Sequence, residues 1–283
     1  MEKEFKTTKY TAVFFVLLSA IFYSIAGVLV KQVTWSALTL NGVRSVFAVI
    51  VMLIFAKLSG DKLKINKPII IGALANFATN ITFVSSTQLT TAANAVVLQF
   101  TMPIFVIVLN IILFKVKPLK IELITCLIVF GGILCFFVDG LSTGGMLGNF
   151  IAVISGVTYA VVFLQNEFDG GDFVSANIYG HFISIIVGLP FLATESDFGF
   201  TNFGLVAILG IFQLGLATVF LSIGLKYVKA VTAAIASTLE PILNPVWVAI
   251  FYPEPLGIFA IIGAIIVIGG VGIYNIVIAI KKE

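Results

Sequence analysis

The chain has 283 residues, 60% of them hydrophobic and 10% charged, with a formal net charge of +3 and a mean hydropathy of +1.18. So few charges cannot clothe a water-soluble globule of this length, and no basic face interleaved with aromatics suggests nucleic acid. The charges fall in short gaps between apolar runs of about 17–25 residues, the length at which a helix crosses a hydrocarbon core.

In chain order, Met1–Lys9 is charged and runs into a full apolar stretch without a small-residue cleavage site, so no secretory signal peptide is expected. Ten spans are predicted: Tyr10–Val30, Ala37–Phe55, Pro68–Val84, Thr91–Phe114, Leu119–Val138, Leu147–Gln165, Phe173–Ala193, Phe203–Gly224, Thr232–Phe251 and Leu256–Ile280. The turns between them are short, so successive helices should be antiparallel neighbours. Cys126 and Cys135 share the fifth span, about 13 Å apart along its axis, too far for a disulfide.

Orientation follows from the basic residues. With the N-terminus in the cytoplasm, the inside segments carry Lys3, Lys6 and Lys9, then Lys57 to Lys67, Lys115 to Lys120, Lys226 and Lys229, and Lys281 and Lys282. These are 14 of the 16 basic residues; Lys31 lies outside and Arg44 within a span. The excess of inside lysines predicts that both termini are cytoplasmic.

The chain also repeats itself. At an offset of 136 residues, Leu18–Tyr23 falls over Ile154–Tyr159 and Asn41 over Asn177; at 138, Asn94–Pro103 falls over Thr232–Pro241. The fold class expected is therefore all-α integral membrane, ten transmembrane helices in two five-helix repeats, 1–143 and 144–283. Because five is odd, the second repeat must enter from the opposite side, and inverted repeats are the geometric basis of alternating access about a midplane site.

The ninth span carries the most expensive group. Glu240 precedes Pro241 near the middle of Thr232–Phe251, where a charged carboxylate costs roughly 2.5–3.5 kcal/mol. Helical spacing places Ser237, Glu240, Asn244 and Trp247 on one face, and Pro241 and Pro245 each remove a backbone donor and can bend the helix. An acid, an amide and an indole there suit the wall of a central pathway; the alternative is a protonated Glu240 that only ties two helices together.

Two five-helix halves, each with a proline-bearing fourth helix and a Pro-Leu turn (Met102-Pro103 to Lys117-Pro118-Leu119; Leu239-Glu240-Pro241 to Pro253-Glu254-Pro255-Leu256), resemble the drug/metabolite transporter superfamily, specifically its EamA-type members. Gly224-Leu225-Lys226-Tyr227-Val228 and Arg44 in the second helix add to the likeness, while Lys115-Val116-Lys117 departs from the family's usual Gly-Glu. The resemblance implies a cavity among helices one, three, four, six, eight and nine, with helices five and ten peripheral and available for a homodimer contact.

Within that frame, Asn76 and Asn80 share a face of helix three and can grip a solute or bond the next helix. Gln99, before Met102-Pro103, is the repeat counterpart of the Glu240 region, and Gln213 lies midway along helix eight. Tyr23 and Tyr159 are repeat mates that can hold an organic solute or close a gate. His181, with Asn177 on helix seven, is expected outside the cavity in a packing role. Arg44 is expected to snorkel or to pair with a carbonyl or acid, acting in structure more than transport. Gly131-Gly132, Gly269-Gly270 and Gly272 are expected to let helices five and ten approach closely.

No metal-ligand spacing, phosphate loop or nucleophile–base pair appears, so neither an enzyme nor a cofactor is expected. The expected function is a secondary transporter, by family an exporter, that moves a small organic metabolite across a bacterial inner membrane. An amino acid or related amine suits the lone acid Glu240, which also serves as candidate proton-coupling group. A non-saturable channel or a non-transporting scaffold is the competing reading. The candidate binding residues are Tyr23, Asn76, Asn80, Gln99, Tyr159, Gln213, Glu240, Asn244 and Trp247, with no metal.

Overall fold

A computed structural model of the chain describes residues 9–30, 32–90, 92–138, 145–243, 247 and 257–280. Among these there is no strand. The helices are α1, Lys9–Tyr23, with a short continuation Ala26–Val30; α2, Ala37–Ser59; α3, Lys67–Leu89; α4, Asn94–Phe114; α5, Lys120–Phe137; α6, Met146–Glu167; α7, Phe173–Thr194; α8, Phe200–Leu225; α9, Ala230–Leu243; and α10, Ile258–Ile280. Seven helices among the described residues are long and apolar enough to cross a membrane, while Thr11–Tyr23 and Ala230–Leu243 are apolar but shorter.

The helix starts are set by side chains that satisfy the first free N–H groups. The oxygens of Ser36, Asn66 and Asp172 accept from the backbone of Thr39, Ile69 and Ser175 at the heads of α2, α3 and α7. Glu122 reaches back to the Leu119 N–H at the head of α5. Gly60 ends α2 in the left-handed conformation that only glycine adopts without strain.

Two helices break at the proline-bearing positions. α4 is interrupted between Gln99 and Met102, just ahead of Pro103, and α9 at Thr238, just ahead of Pro241. Each proline lacks the N–H that would bond the carbonyl four residues earlier, so the ladder opens there. α8 contains a wide π segment, Leu209–Leu216, that includes Gln213.

The packing has an exchange rule. α1 packs on α8 as α3 packs on α6; α3 packs on α7 as α2 packs on the π segment of α8; α4 packs on α6 as α9 packs on α1. α2 with α7, α4 with α9 and α5 with α10 pair with their own counterparts. Large aliphatic side chains point away from this bundle, among them Ile54 on α2, Leu127 on α5 and Ile265 and Ile273 on α10. Buried aliphatics hold its centre.

The α5–α10 glycines behave in two ways. A methyl on Gly132 would meet Ile266 and Val267, and one on Gly270 would meet Val129, so these two do mediate the contact. Gly131, Gly269 and Gly272 have nothing within 4 Å of where a Cβ would be, and so correct the expectation for that part of the stripe.

Each end of the bundle is clasped by different chemistry. At one end the fully buried Trp35 donates its indole N–H to the Asp197 carbonyl at 2.6 Å and meets the Phe203 ring edge-on at 5.0 Å. Ser36 N–H donates to the Glu195 carboxylate at 2.9 Å, and Asn202 donates to the Thr34 hydroxyl at 2.7 Å. Slight burial raises the pKa of Glu195, but hydrogen bonds from Thr39 and Ser36 outweigh it and hold the carboxyl below its ordinary value. Its contribution is therefore complete above the ordinary carboxylate range and is lost only as pH falls through the lowered value.

At the other end Lys226 pairs with Asp61 at 3.0 Å, Lys64 N–H donates to Ser175, and Asn66 donates to the Gly170 carbonyl. The Lys226 and Asp61 side chains are 39% and 30% exposed, so solvent screens the pair. Asp61→Asn is expected to change stability by less than about 1 kcal/mol, leaving the melting midpoint in detergent nearly unmoved.

Candidate functional site

The breaks described above converge on one cavity. The end of α1, the middle of α3, the break of α4, α6, α7, the π segment of α8 and the break of α9 all contribute to its wall. It measures about 50 Å³ and is lined by Tyr23, Arg44, Asn76, Thr79, Asn80, Phe83, Gln99, Tyr159, Val162, Asn177, His181, Gln213, Leu214, Thr218 and Glu240. That volume suits roughly four waters, so an organic solute requires the wall to open.

Seven of the expected residues are brought together here: Tyr23, Asn76, Asn80, Gln99, Tyr159, Gln213 and Glu240. Asn244 lies outside the described residues. Trp247 is not in the lining; its indole N–H donates to Ser24 at 2.8 Å, beside the point where α1 stops. Helical spacing had joined it to Glu240, but residues 244–246 between the two lie outside the described residues, and of the pair only Glu240 is in the lining.

Of the outcomes expected for Arg44, pairing with carbonyl oxygens is the one found. It does not snorkel and meets no acid: it is 1% exposed, and its guanidinium donates to the side-chain carbonyl oxygens of Gln213 at 3.4 Å and of Asn41 and Asn80 at 3.2 Å each. Asn80 in turn donates to the Asn76 carbonyl at 3.0 Å, and Asn76 donates to Asn177 of α7. A chain of amides thus joins α2, α3, α7 and α8 across the cavity.

Helix α7 is a wall of the cavity, contrary to the expectation from the resemblance. Asn177 and His181 lie four residues apart on it and face inward together. Their approach depends on Gly180, whose missing Cβ would lie 2.6 Å from the Asn76 side-chain oxygen. His181 is fully buried, with Nδ1 against the Ser45 hydroxyl at 3.1 Å. The hydrogen-bonded role foreseen for it is present, but the ring also borders the cavity.

On the opposite side the Tyr23 and Thr218 hydroxyls bond at 2.8 Å, closing α1 on α8. Gln99 donates to Ser155 at 2.8 Å, and a Cβ on Gly156 would lie 2.9 Å from the Gln99 carbonyl, so α6 approaches the α4 break where small residues permit it. Tyr159 meets Phe163 edge-on at 5.0 Å. Sequence reasoning passed over Thr79, Phe83, Val162, Leu214 and Thr218, which carry no distinguishing pattern.

Three buried polar atoms in this wall have no hydrogen-bond partner among the described residues: Arg44 Nε, His181 Nε2 and Glu240 Oε2. Buried polar groups are nearly always satisfied, so each such group calls for an explanation. Here three share one small cavity.

A second, wider cavity of about 420 Å³ opens at the Lys226 end, bordered by the α6–α7 turn and the end of α8. Its Phe173 and Ser222 lie one helical turn from Asn177 and Thr218 of the central cavity, about 6 Å along each axis. The central cavity is thus one turn of helix away from a vestibule on that side.

The chain is similar to known proteins over nearly its whole length. The pattern of the EamA-like transporter family matches it twice, at residues 10–138 and 146–276. An uncharacterized transporter of Archaeoglobus fulgidus is 26% identical over 259 residues, covering 90% of this chain and 93% of that protein. A solved structure, titled only as the crystal structure of a protein, superimposes with a TM-score of 0.81 at 14% identity, covering 94% of this chain and 99% of that one, which shows a shared fold. With its several apolar helices, the chain is a multi-pass membrane protein and belongs to the EamA-like transporter family.

Proposed function

We propose that this protein is a secondary transporter that exports a small organic metabolite, an amino acid or related amine, across a bacterial inner membrane with both termini in the cytoplasm. One observation carries the reading: a buried carboxylate oxygen of Glu240, unpartnered among the described residues, borders a central cavity beside Arg44 and His181. A group that expensive at membrane depth is retained where it binds a cation or carries a proton.

Alternating access between two inverted repeats, 1–143 and 144–283, is the mechanism in this reading. It is supported by the two family matches, one on each side of that boundary, and by packing that is preserved when the first five helices are exchanged for the last five. In the form described, the Trp35 end is clasped and the vestibule opens at the Lys226 end. Substrate enters there, displaces the water of the central cavity and reaches Glu240, while Tyr23, Gln99 and Tyr159 supply the hydroxyl, amide and ring contacts of an organic solute. Transport then requires the two clasps to exchange roles.

The test is saturable uptake of radiolabelled amino acids and amines into proteoliposomes, with and without a pH gradient, for the wild type and Glu240→Gln. The substitution keeps shape and removes the titrating group, so the response to the gradient should vanish and accumulation should fall by at least about tenfold. Unchanged transport with its pH response intact would make Glu240 structural. Non-saturable flux would favour a channel, and no flux of any solute would favour a scaffold.

A further inference from the structure

The setting of Arg44 narrows the substrate class. Its guanidinium is 1% exposed, yet the three acceptors that hold it, Asn41, Asn80 and Gln213, are neutral amides. They use three of its five N–H groups, and Nε–H has no partner among the described residues. The sole ion pair among the described residues, Lys226 with Asp61, lies at the surface, so neither Arg44 nor Glu240 has a counter-charge there. One cavity wall therefore holds a buried cation and a buried carboxylate oxygen, each incompletely satisfied and not paired with the other.

Buried ions are ordinarily paired, and leaving one uncompensated is strongly unfavourable. A ligand that brings one charge of each sign within a small molecule satisfies both groups at once and enters with no net charge. We propose that the cavity is a zwitterion site in which Arg44 receives the substrate's carboxylate and Glu240 its ammonium. Arg44 is then the residue that selects amino acids over simple amines. The planar fork of a guanidinium matches a carboxylate, whereas a lysine ammonium acts as a point charge. This inference rests on the transporter reading and assigns Arg44 a role that reading does not require.

The experiment measures inhibition of transport by matched sets in proteoliposomes: each of the common amino acids, its methyl ester and its decarboxylated amine. The ester and the amine keep the ammonium and lose only the anion. For the wild type, the effective amino acids should inhibit at least about 10²-fold better than their esters and amines, since a polar site rejects an analogue that leaves its groups unpaired. In Arg44→Gln that ratio should fall to within a few-fold, and Arg44→Lys should lie between.

Equal potency of acids and amines in the wild type overturns the inference while leaving a transporter of amines in place, and so does an Arg44→Gln protein that still prefers the acids. If Arg44→Gln fails to reach the membrane, the wild-type ratio decides. Sodium chloride in place of the amino acids is the control for an anion alone; inhibition by chloride equal to that by amino acids also overturns the assignment.

Discussion

Trp35→Ala should open the end of the bundle that Trp35 seals. The side chain is fully buried, its N–H is bonded to the Asp197 carbonyl, and its ring is wedged between Phe198 and Phe203. Truncating a buried tryptophan removes about 3–5 kcal/mol of packing and leaves the Asp197 carbonyl with only the longer bond from Asn202, at 3.2 Å. Asp197, 162 residues away, and Phe198 lie in the α7–α8 connection and Phe203 at the start of α8, so the loss falls on the contact between two segments rather than within one helix. If about 3 kcal/mol of it is specific to the closed form, the open population rises by about 10²-fold.

The readout is a single cysteine at Leu214 in the central cavity, with Cys126 and Cys135 replaced, labelled by a membrane-impermeant maleimide from the Trp35 side. Labelling at least about tenfold faster in Trp35→Ala is expected. An unchanged rate with a lowered melting midpoint would show that Trp35 supports the fold and does not gate.

Gly188→Ala should force apart two helices that cross backbone to backbone. Its Cβ would lie 2.3 Å from the Leu38 carbonyl oxygen and 2.7 Å from Gly42 Cα, and both obstacles are backbone. Gly42 faces the same crossing from α2, with a hypothetical Cβ 2.8 Å from Gly188. Relief requires α2 and α7 to separate, at the upper end of the roughly 1–3 kcal/mol typical of overpacking. Arg44 is two residues beyond Gly42, and His181 and Asn177 lie on α7, so the separation also pulls the amide chain apart.

A fall in melting midpoint of about 5–10 °C, with loss of transport, is expected. Gly269→Ala is the control, because nothing lies within 4 Å of its Cβ position; alanine there also favours the helix, and the midpoint should hold or rise. Equal losses in the two variants would mean that the α2–α7 contact is not rigid.

What the sequence made legible was what local chemistry encodes. Uninterrupted apolar runs mark the helices; Pro103 and Pro241 mark the two breaks; Glu240 betrays the cavity by the cost of its position. The cavity's electrostatics were less legible because they are non-local. Arg44 reads as a residue that either snorkels or pairs with a carbonyl or acid, and only Asn80 and Gln213, 36 and 169 residues away, decide that carbonyls hold it inside. Asn177 and His181 share a visible face, but which way that face turns depends on close approaches such as that at Gly180. Trp247 bonds Ser24 on another helix, a partner 223 residues away that spacing along its own helix does not reveal.

The amides around Arg44 have a further consequence. A carboxamide carries a donor and an acceptor on one rotatable plane, so Asn41, Asn80 and Gln213 can each turn over and offer a different atom. An acid in their place would fix the guanidinium in one deep electrostatic well. Neutral acceptors of similar strength instead let it trade one partner for another in small steps. In the proposed cycle, a harness of this kind lets the guanidinium shift toward a bound carboxylate without the rupture of an ion pair.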